Sequence, residues 1–589
     1  MNPLTVAYGR SGKARMVLDC RHINLYLFKF KHKYEDASTA RDMFSQGDYV
    51  ITFDLKSAYH HIRIFPEHTT YLGFSWVICG KTRYFVYRVL PFGLATAGFI
   101  FTKVAKHFVK YIREKGHKLV MYLDDGLAGA SSESDVRKLS EVIRKDLEDF
   151  GFLIANEKCC WSPSQQALWL GLCWDFTTGK VRISEDRIRR VLILMRDLLH
   201  RICQGQYLVS VKLLACIAGQ IMSCKCVIGD EVQFNSRHMF FCIQSRASWN
   251  AKVKVTYGVV KEIRFWIENI DALNAAGTDF SVVSDNSPTD LVLFSDASEI
   301  GYGGYVTHDT QVNYTENQSV VTEIDIVRLD LLRQQGQGTI NRSIISGSWS
   351  DHESVKSSTW RELEALNRVI QNNVDSLSGK RIGVVSDNKN VSRILKVGSK
   401  KEDLHDISEV VKHVCIRNEI DIVPIWVRRD QNQTADMLSR YPDKDDLSIN
   451  DEYFQTCNTL FGPYEVDAFA THYNKKCLIF YSKVWCPGTS GIDAFDFSWS
   501  NAKLWIVPPP KLISRALNKC HKDKTEATFV IPLWVSAPFW PIVCQYRKFL
   551  KGTLSFSPND AVVCGRHKRG IFSIRPLSFT MIAMHYNFS

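Results

Sequence analysis

Tyr122-Leu123-Asp124-Asp125, framed by apolar Leu119-Val120-Met121 and by Gly126, sets two carboxylates side by side at the end of a strand-like run. Adjacent carboxylates repel, and a divalent cation is the usual relief. A third acid stands upstream in the same setting, where Asp54 closes the run Tyr49-Val50-Ile51-Thr52-Phe53. Three acids delivered by strand ends are what a pair of Mg²⁺ ions needs to activate a hydroxyl and to stabilise a leaving pyrophosphate. The pattern predicts the palm of a nucleotide polymerase.

Other residues suit the same chemistry. Tyr8–Lys33 holds seven Lys/Arg against the single acid Asp19. Elsewhere such a run is a solvated face, but beside a triphosphate site Lys13 and Arg15 are natural phosphate clamps. Tyr59 places an aromatic ring shortly after Asp54. Leu90-Pro91-Phe92-Gly93-Leu94-Ala95 is a Pro/Gly turn leading into a helix, suited to close backbone approach to a base pair. Gly151–Lys158 ends in a lysine able to protonate pyrophosphate. Trp169-Leu170-Gly171 begins a short turn-bounded strand.

These residues need a scaffold of alternating strands and amphipathic helices. Val104, Phe108 and Ile112 recur at helical spacing in Gly98–Glu114, as do Val136, Leu139, Val142, Ile143 and Leu147 before Gly151. Residues 184–271 read as mostly helical, with Ile188, Val191, Leu192 and Met195 on one stripe. A new strand-rich module starts at Leu291-Val292-Leu293-Phe294. Its middle, roughly 306–350, reads as a polar inserted loop with weak helical character at Ile324–Leu332. Pro442–Asn450 reads as a linker, followed by a Trp- and Pro-rich C-terminal region.

A length of 589 residues predicts several domains, and 45% apolar with 23% charged residues excludes wholesale disorder. A net charge of +12 fits a polyanionic partner. The 17 cysteines include no Cys-x-x-Cys pair and read as thiols. No apolar run is long enough to span a membrane, and no leader follows Met1, so an intracellular, soluble chain is expected.

Taken in order, these blocks resemble the reverse-transcriptase motifs of retroelements. The resemblance makes Asp54, Asp124 and Asp125 the metal-binding acids. Arg15 and Lys13 become contacts to the incoming triphosphate, with Phe92 and Gly93 in the nucleotide-binding turn. Tyr59 becomes the steric gate against a ribose 2′-hydroxyl, and Lys158 the proton donor. Tyr122 opens the Tyr-x-Asp-Asp box at the primer terminus, and Trp169, Leu170 and Gly171 form the primer grip. Asn2-Pro3-Leu4 with Gly12–Arg15, Phe53–His61, Tyr71–Trp76 and Tyr122–Gly126 are most similar to DIRS/Ngaro-type retrotransposons, whose partner gene encodes a tyrosine recombinase. Two departures stand out. Gly98 replaces a proline of the family motif, and the chain begins only a few residues before the fingers motif, as an N-terminally shortened product does.

A second acid series follows: Asp296 after a strand-like run, Glu362 opening a helix, Asp387 ending a strand and Asp436 near a helix start. Singly, each reads as a cap or surface residue. Together they resemble the RNase H set, in which four acids hold two Mg²⁺ against an RNA phosphodiester. The histidine usual before the last acid is missing, and Val427–Thr434 offers only Arg428, Arg429 and Asp430. Val466-Asp467-Ala468, Asn474, Asp493, Trp499, Trp505–Pro510 and Phe529–Pro532 resemble an adenine methyltransferase. Its base-binding loop has lost the polar first residue to Val507 and the aromatic last residue to Pro510.

The expectation is an α+β multidomain chain: reverse transcriptase fingers and palm at 1–175, and a helical thumb/connection at 176–285. An RNase H-like α/β domain at 286–445 and a degenerate adenine-methyltransferase-like α/β region at 446–589 complete it. The implied cofactor is Mg²⁺, two ions per site, or Mn²⁺ in its place. Implied partners are an RNA template, a DNA primer, the RNA–DNA hybrid and dNTPs, with an element-encoded recombinase and a Gag-like protein but no membrane, in cytoplasm or nucleus. Three alternatives compete: a viral RNA-dependent RNA polymerase, which has no need of residues 291–440; a decayed or domesticated nucleic-acid-binding copy without catalysis; and a DNA methyltransferase, which explains only the last quarter and conflicts with its own key loop.

Overall fold

The computed structural model describes residues 1–8, 14–28, 32–280, 287–308, 344–441, 447–560, 563–565, 572 and 576–589. Lys13, most of the inserted loop with its helical stretch, and Pro442 to residue 446 of the linker lie outside them. The chain divides into two compact units, Met1–Asn286 and Ser287–Ser589.

In the first unit an antiparallel sheet runs in the order Lys118–Tyr122, Asp125–Ala130, Tyr49–Asp54, Cys160–Ser164. Val50, Ile51 and Phe53 are buried on its strand next to Asp54. Helices Ala97–Glu114 and Glu133–Asp149 pack there through Phe101, Phe108, Ile112, Val136, Leu139 and Ile143. Val104 is exposed, contrary to the expected stripe; Phe101, Ala105, Phe108 and Ile112 form the buried face instead. Ile188, Val191, Leu192 and Met195 are buried as expected, on helix Glu185–Cys203. The boundary expected at 175/176 falls between paired strands, because Leu172–Asp175 pairs with Lys180–Ile183. One core runs across it from Trp169 and Trp174 to Trp266 and Phe280. A hairpin, Gly73–Ile78 with Lys81–Val86, stands as a two-stranded sheet.

Among the described residues the second unit holds two large sheets and a small two-stranded one, Leu447–Ile449 with Val563–Gly565. The first has the order Ile344–Ser348, Gly301–His308, Leu291–Ala297, Arg381–Ser386, Asp421–Trp426. The first three strands pair antiparallel and the last two join in parallel. Gly301–His308 and Ile344–Ser348 bring the two ends of the inserted loop together as neighbouring strands. The other sheet has seven strands: Gly491–Ile492, Ile479–Ser482, Val466–Asp467, Lys503–Ile506, Glu526–Pro532, Met581–Asn587, Leu550–Phe556. Five are parallel, and the last two run antiparallel to their neighbours. Among the described residues no helix is long and apolar enough to cross a membrane.

Candidate active sites

Tyr122 and Asp125 close a two-residue turn, and Asp125 lies opposite Asp54 in the register of the central strands. Leu123 holds φ = 54° in that turn, a conformation rare for a branched apolar residue and found where surrounding structure enforces it. The Leu55 amide donates to the Asp124 carbonyl (2.9 Å) and the Ala155 amide to the Asp54 carbonyl (2.8 Å), which fixes both acids through their main chain. Gly126 has a packing reason: a Cβ there would lie 2.2 Å from the Phe53 ring. Lys158, at the end of a 3₁₀ turn, donates to Asp54 Oδ1 at 2.7 Å while remaining 56% exposed. Burial, followed by the charges of Asp54 and Asp124, pushes Asp125 up to about 7, against the pull of Lys158. A cation at these acids relieves that repulsion.

Tyr59 lies on a 3₁₀ turn entered through Ser57 at φ = 57°, its ring centroid 5.1 Å from that of Phe92. Burial first, then Asp124, raises its hydroxyl pKa. Gly93 has φ = 110°, and a Cβ there would strike the Leu18 carbonyl oxygen at 2.0 Å, so only glycine closes this turn. Arg15 falls on strand Ala14–Leu18. Trp169 needs correction as a primer contact, because its side chain is 1% exposed in the core. The turn it begins holds Leu170 (φ 51°) and Gly171 (φ 71°). Gly98, the departure from the family's proline, makes room for a side chain: a Cβ there would lie 2.7 Å from Tyr34 Oη.

In the second unit Asp296, Glu362 and Asp387 converge from a strand, the first turns of helix Ser358–Asn372 and the residue after strand Arg381–Ser386. Their ligand oxygens lie within 4.8 Å of one another. Burial, then Asp296 and Asp387, pushes Glu362 up to about 9; burial also lifts Asp296 to about 6. Glu362 Oε2 is buried without a hydrogen-bond partner. Three converging carboxylates with an unsatisfied oxygen fit a divalent ion. Asp436 stands apart from that group, its Oδ1 accepting from Arg429 (3.1 Å) and Arg440 (2.8 Å). Arg429 occupies the segment where the family's histidine is missing and lowers the pKa of Glu362. Ser439 donates to Asp296 Oδ2 at 2.7 Å, tying this last helix to the first acid.

In the C-terminal sheet the methyltransferase-like residues are engaged structurally. Asn474 Oδ1 accepts from the Thr471 amide and hydroxyl, and Trp499 Nε1 donates to the Ala494 carbonyl. Asp467 is buried, accepts from the Lys476 amide at 2.9 Å, and is pushed by burial to about 7. Val507 packs against a core cluster, and Pro510 opens a 3₁₀ turn.

Several partners had no sequence signal. Asn24 pins the Leu90–Ala95 turn, donating to the Gly93 carbonyl (3.0 Å) and accepting from the Ala95 amide (2.8 Å). Glu35 makes a bidentate pair with Arg113. Cys159 Sγ accepts from the Asp54 amide at 3.3 Å. All join residues far apart in the chain, which periodicity does not connect.

Residues 9–173 match the family model described as "Reverse transcriptase (RNA-dependent DNA polymerase)". Over 168 residues the chain is 28% identical to the genome polyprotein of Petunia vein clearing virus (isolate Shepherd), covering 28% of this chain and 7% of the polyprotein. Over 169 residues it is 31% identical to the Transposon Tf2-3 polyprotein of Schizosaccharomyces pombe (strain 972 / ATCC 24843), covering 28% and 12%. The chain therefore spans a small part of these relatives' length. Among solved structures, the foamy viral protease-reverse transcriptase in complex with RNA/DNA hybrid aligns over 76% of this chain and 52% of that chain, at 16% identity and a TM-score of 0.38. Residues 9–173 are a reverse transcriptase domain with homologues in viral and retrotransposon polyproteins.

Proposed function

We propose that the reverse transcriptase domain works as an RNA-directed DNA polymerase of a DIRS/Ngaro-type retrotransposon, and that the second unit carries an RNase H-like nuclease centre. The observation that carries the polymerase reading is Asp54 facing Asp125 across the sheet, beside the Tyr122–Asp125 turn, inside the segment that matches the family model. Divalent cations, Mg²⁺ or Mn²⁺, supply activation of the primer 3′-hydroxyl and charge stabilisation on the phosphates. The chain's own residues do the rest. Asp54, Asp124 and Asp125 hold the ions, Lys13 and Arg15 grip the triphosphate, and Tyr59, its ring tilted against Phe92, closes the space a 2′-hydroxyl needs. Lys158, held on Asp54 yet exposed, gives a proton to the departing pyrophosphate. Tyr122 and the Leu170-Gly171 turn guide the primer.

The nuclease reading rests on the converging Asp296, Glu362 and Asp387. Asp436 joins them once its arginines release it. Copying RNA leaves a hybrid whose template must go, so the two activities belong together. The division into fingers and palm, thumb/connection, nuclease and methyltransferase-like regions follows this reading. So do the partners: RNA template, DNA primer, hybrid, dNTPs, and the element's recombinase and Gag-like protein, in cytoplasm or nucleus. The test is dNTP incorporation on an RNA template with a DNA primer in Mg²⁺, against an Asp124→Asn control. Incorporation absent from both proteins, with primer–template still bound, rejects the polymerase reading in favour of a binding-only copy.

A further inference from the structure

Helix Ser358–Asn372 has two buried sides. Glu362 faces the acid cluster, while Glu364, Arg368 and Asn372 recur every fourth residue on another stripe. Arg368 has a fully buried side chain, donates to Glu364 Oε1 at 2.8 Å and pairs with Glu353 Oε1. Its guanidinium lies 4.8 Å from the Tyr302 ring centroid and 4.9 Å from that of Trp349. Glu353 also caps its own short helix, through Oε2 accepting from the Ser350 amide at 2.8 Å. Within this set two carboxylates face one guanidinium. That leaves the set one negative charge in excess, which a second cationic group offsets.

The C-terminal region brings a group able to carry a positive charge. His472 Nε2 lies 3.2 Å from Glu353 Oε2. Burial, and to a lesser degree the Arg368 charge, oppose a charge on His472, but Cys486 and Glu353 outweigh them and raise its pKa. The Trp485 amide donates to Asn372 Oδ1 at 3.0 Å, at the end of the same helix. Val484 is buried within the nuclease core. The two sheets belong to one compact unit.

We infer that the methyltransferase-like region is a docked brace for the nuclease centre, its His472 and Trp485 completing the buried network that holds the Glu362 helix in place. This rests on the nuclease reading only for its consequence, positioning Glu362; the docking itself stands on the contacts. It also accounts for a methyltransferase-like sheet that persists although its loop carries Val507 and Pro510. Glu353, Arg368 and His472 are positioning residues, since none touches the reacting atoms.

The test uses the full chain carrying His472→Ala, Glu353→Gln, both, or His472→Lys. Amide hydrogen exchange is followed across Ser358–Asn372, with Ala97–Glu114 of the first unit as internal reference. His472→Ala is expected to speed exchange in the Glu362 helix at least tenfold and leave the reference helix unchanged. His472→Lys, which keeps a cation, should restore protection, and His472→Ala should add little once Glu353→Gln has removed the charge it answers. In parallel, His472→Ala should raise the Mg²⁺ concentration for half-maximal hybrid cleavage severalfold, with primer extension unaltered. Unchanged exchange in His472→Ala, or additive effects in the double variant, overturns the inference. Coupled exchange in a wild-type chain that cleaves no hybrid keeps the brace and rejects the nuclease reading instead.

Discussion

The two acid clusters are built from one residue type and differ in how the chain answers their repulsion. In the first unit Asp54 has a side-chain cation in contact, Lys158 at 2.7 Å, and Asp125 rises to about 7. In the second unit the converging acids have arginines only at the rim: Arg429 pairs with Asp436 and is 70% exposed. Glu362 rises to about 9 with one oxygen unsatisfied. Under the proposed reading, the polymerase-type site carries a cation that can stay as a brace or leave as a proton donor. Under the same reading, the nuclease-type site depends on a cation that arrives from solution. Among the described residues, convergence within 4.8 Å is found for Asp296, Glu362 and Asp387 and not for Asp54, Asp124 and Asp125.

That contrast can be broken in several ways. The largest effect belongs to Asp387→Asn, which should lower hybrid cleavage by about 10³-fold or more, several kcal/mol of charge stabilisation, while DNA synthesis is retained. Parallel cleavage and extension rates check it. Next is Lys158→Ala. Loss of a general acid costs on the order of 10²-fold, so the single-turnover rate of nucleotide addition should fall by that much with cleavage unaffected. An equal fall in both activities would assign Lys158 to folding rather than to proton transfer.

The pH dependence of stability sharpens the comparison further. Glu362 is pushed up to about 9 in the fold, from about 4.3 for an unperturbed glutamate. A carboxyl with a higher folded pKa binds its proton more tightly in the native state. Its contribution is therefore intact below about 4 and is lost as pH rises through the folded value. In a chelator, the thermal midpoint of the second unit should fall with rising pH across that window. Glu362→Gln or added Mg²⁺ should flatten the fall, and an unaltered slope in the variant would remove Glu362 as the cause.

The smallest effect concerns Gly98. Gly98→Ala puts a methyl 2.7 Å from the far end of Tyr34, which must shift beside Tyr59. A cost of about 1 kcal/mol fits such overpacking, read as a severalfold rise in KM for dNTPs. Tyr34→Phe in the same chain should relieve it.

The placement of Asp54, Asp124 and Asp125 at strand ends is legible because the signal is local: an apolar strand, an acid at its end, a turn. On helix Ala97–Glu114 the period identifies Phe108 and Ile112 as buried but not the edge of the stripe, where Phe101 and Ala105 are buried and Val104 is exposed. Trp169 was misread because a turn motif does not say which of its residues the core takes. Asn24, Glu35 and Arg429 act through partners that only folding brings near. The C-terminal sheet was the hardest to read, since strands as short as Val466–Asp467 and Gly491–Ile492 carry no periodicity. Their order comes from pairing across the chain.

The most direct measurement follows both activities in one tube, with an end-labelled RNA template annealed to a DNA primer in Mg²⁺ and dNTPs. The wild-type chain should extend the primer and fragment the template. Asp124→Asn should fragment without extending, and Asp387→Asn should extend without fragmenting. Loss of both activities together in each variant, with folded protein by circular dichroism, would contradict two separate metal centres in one chain.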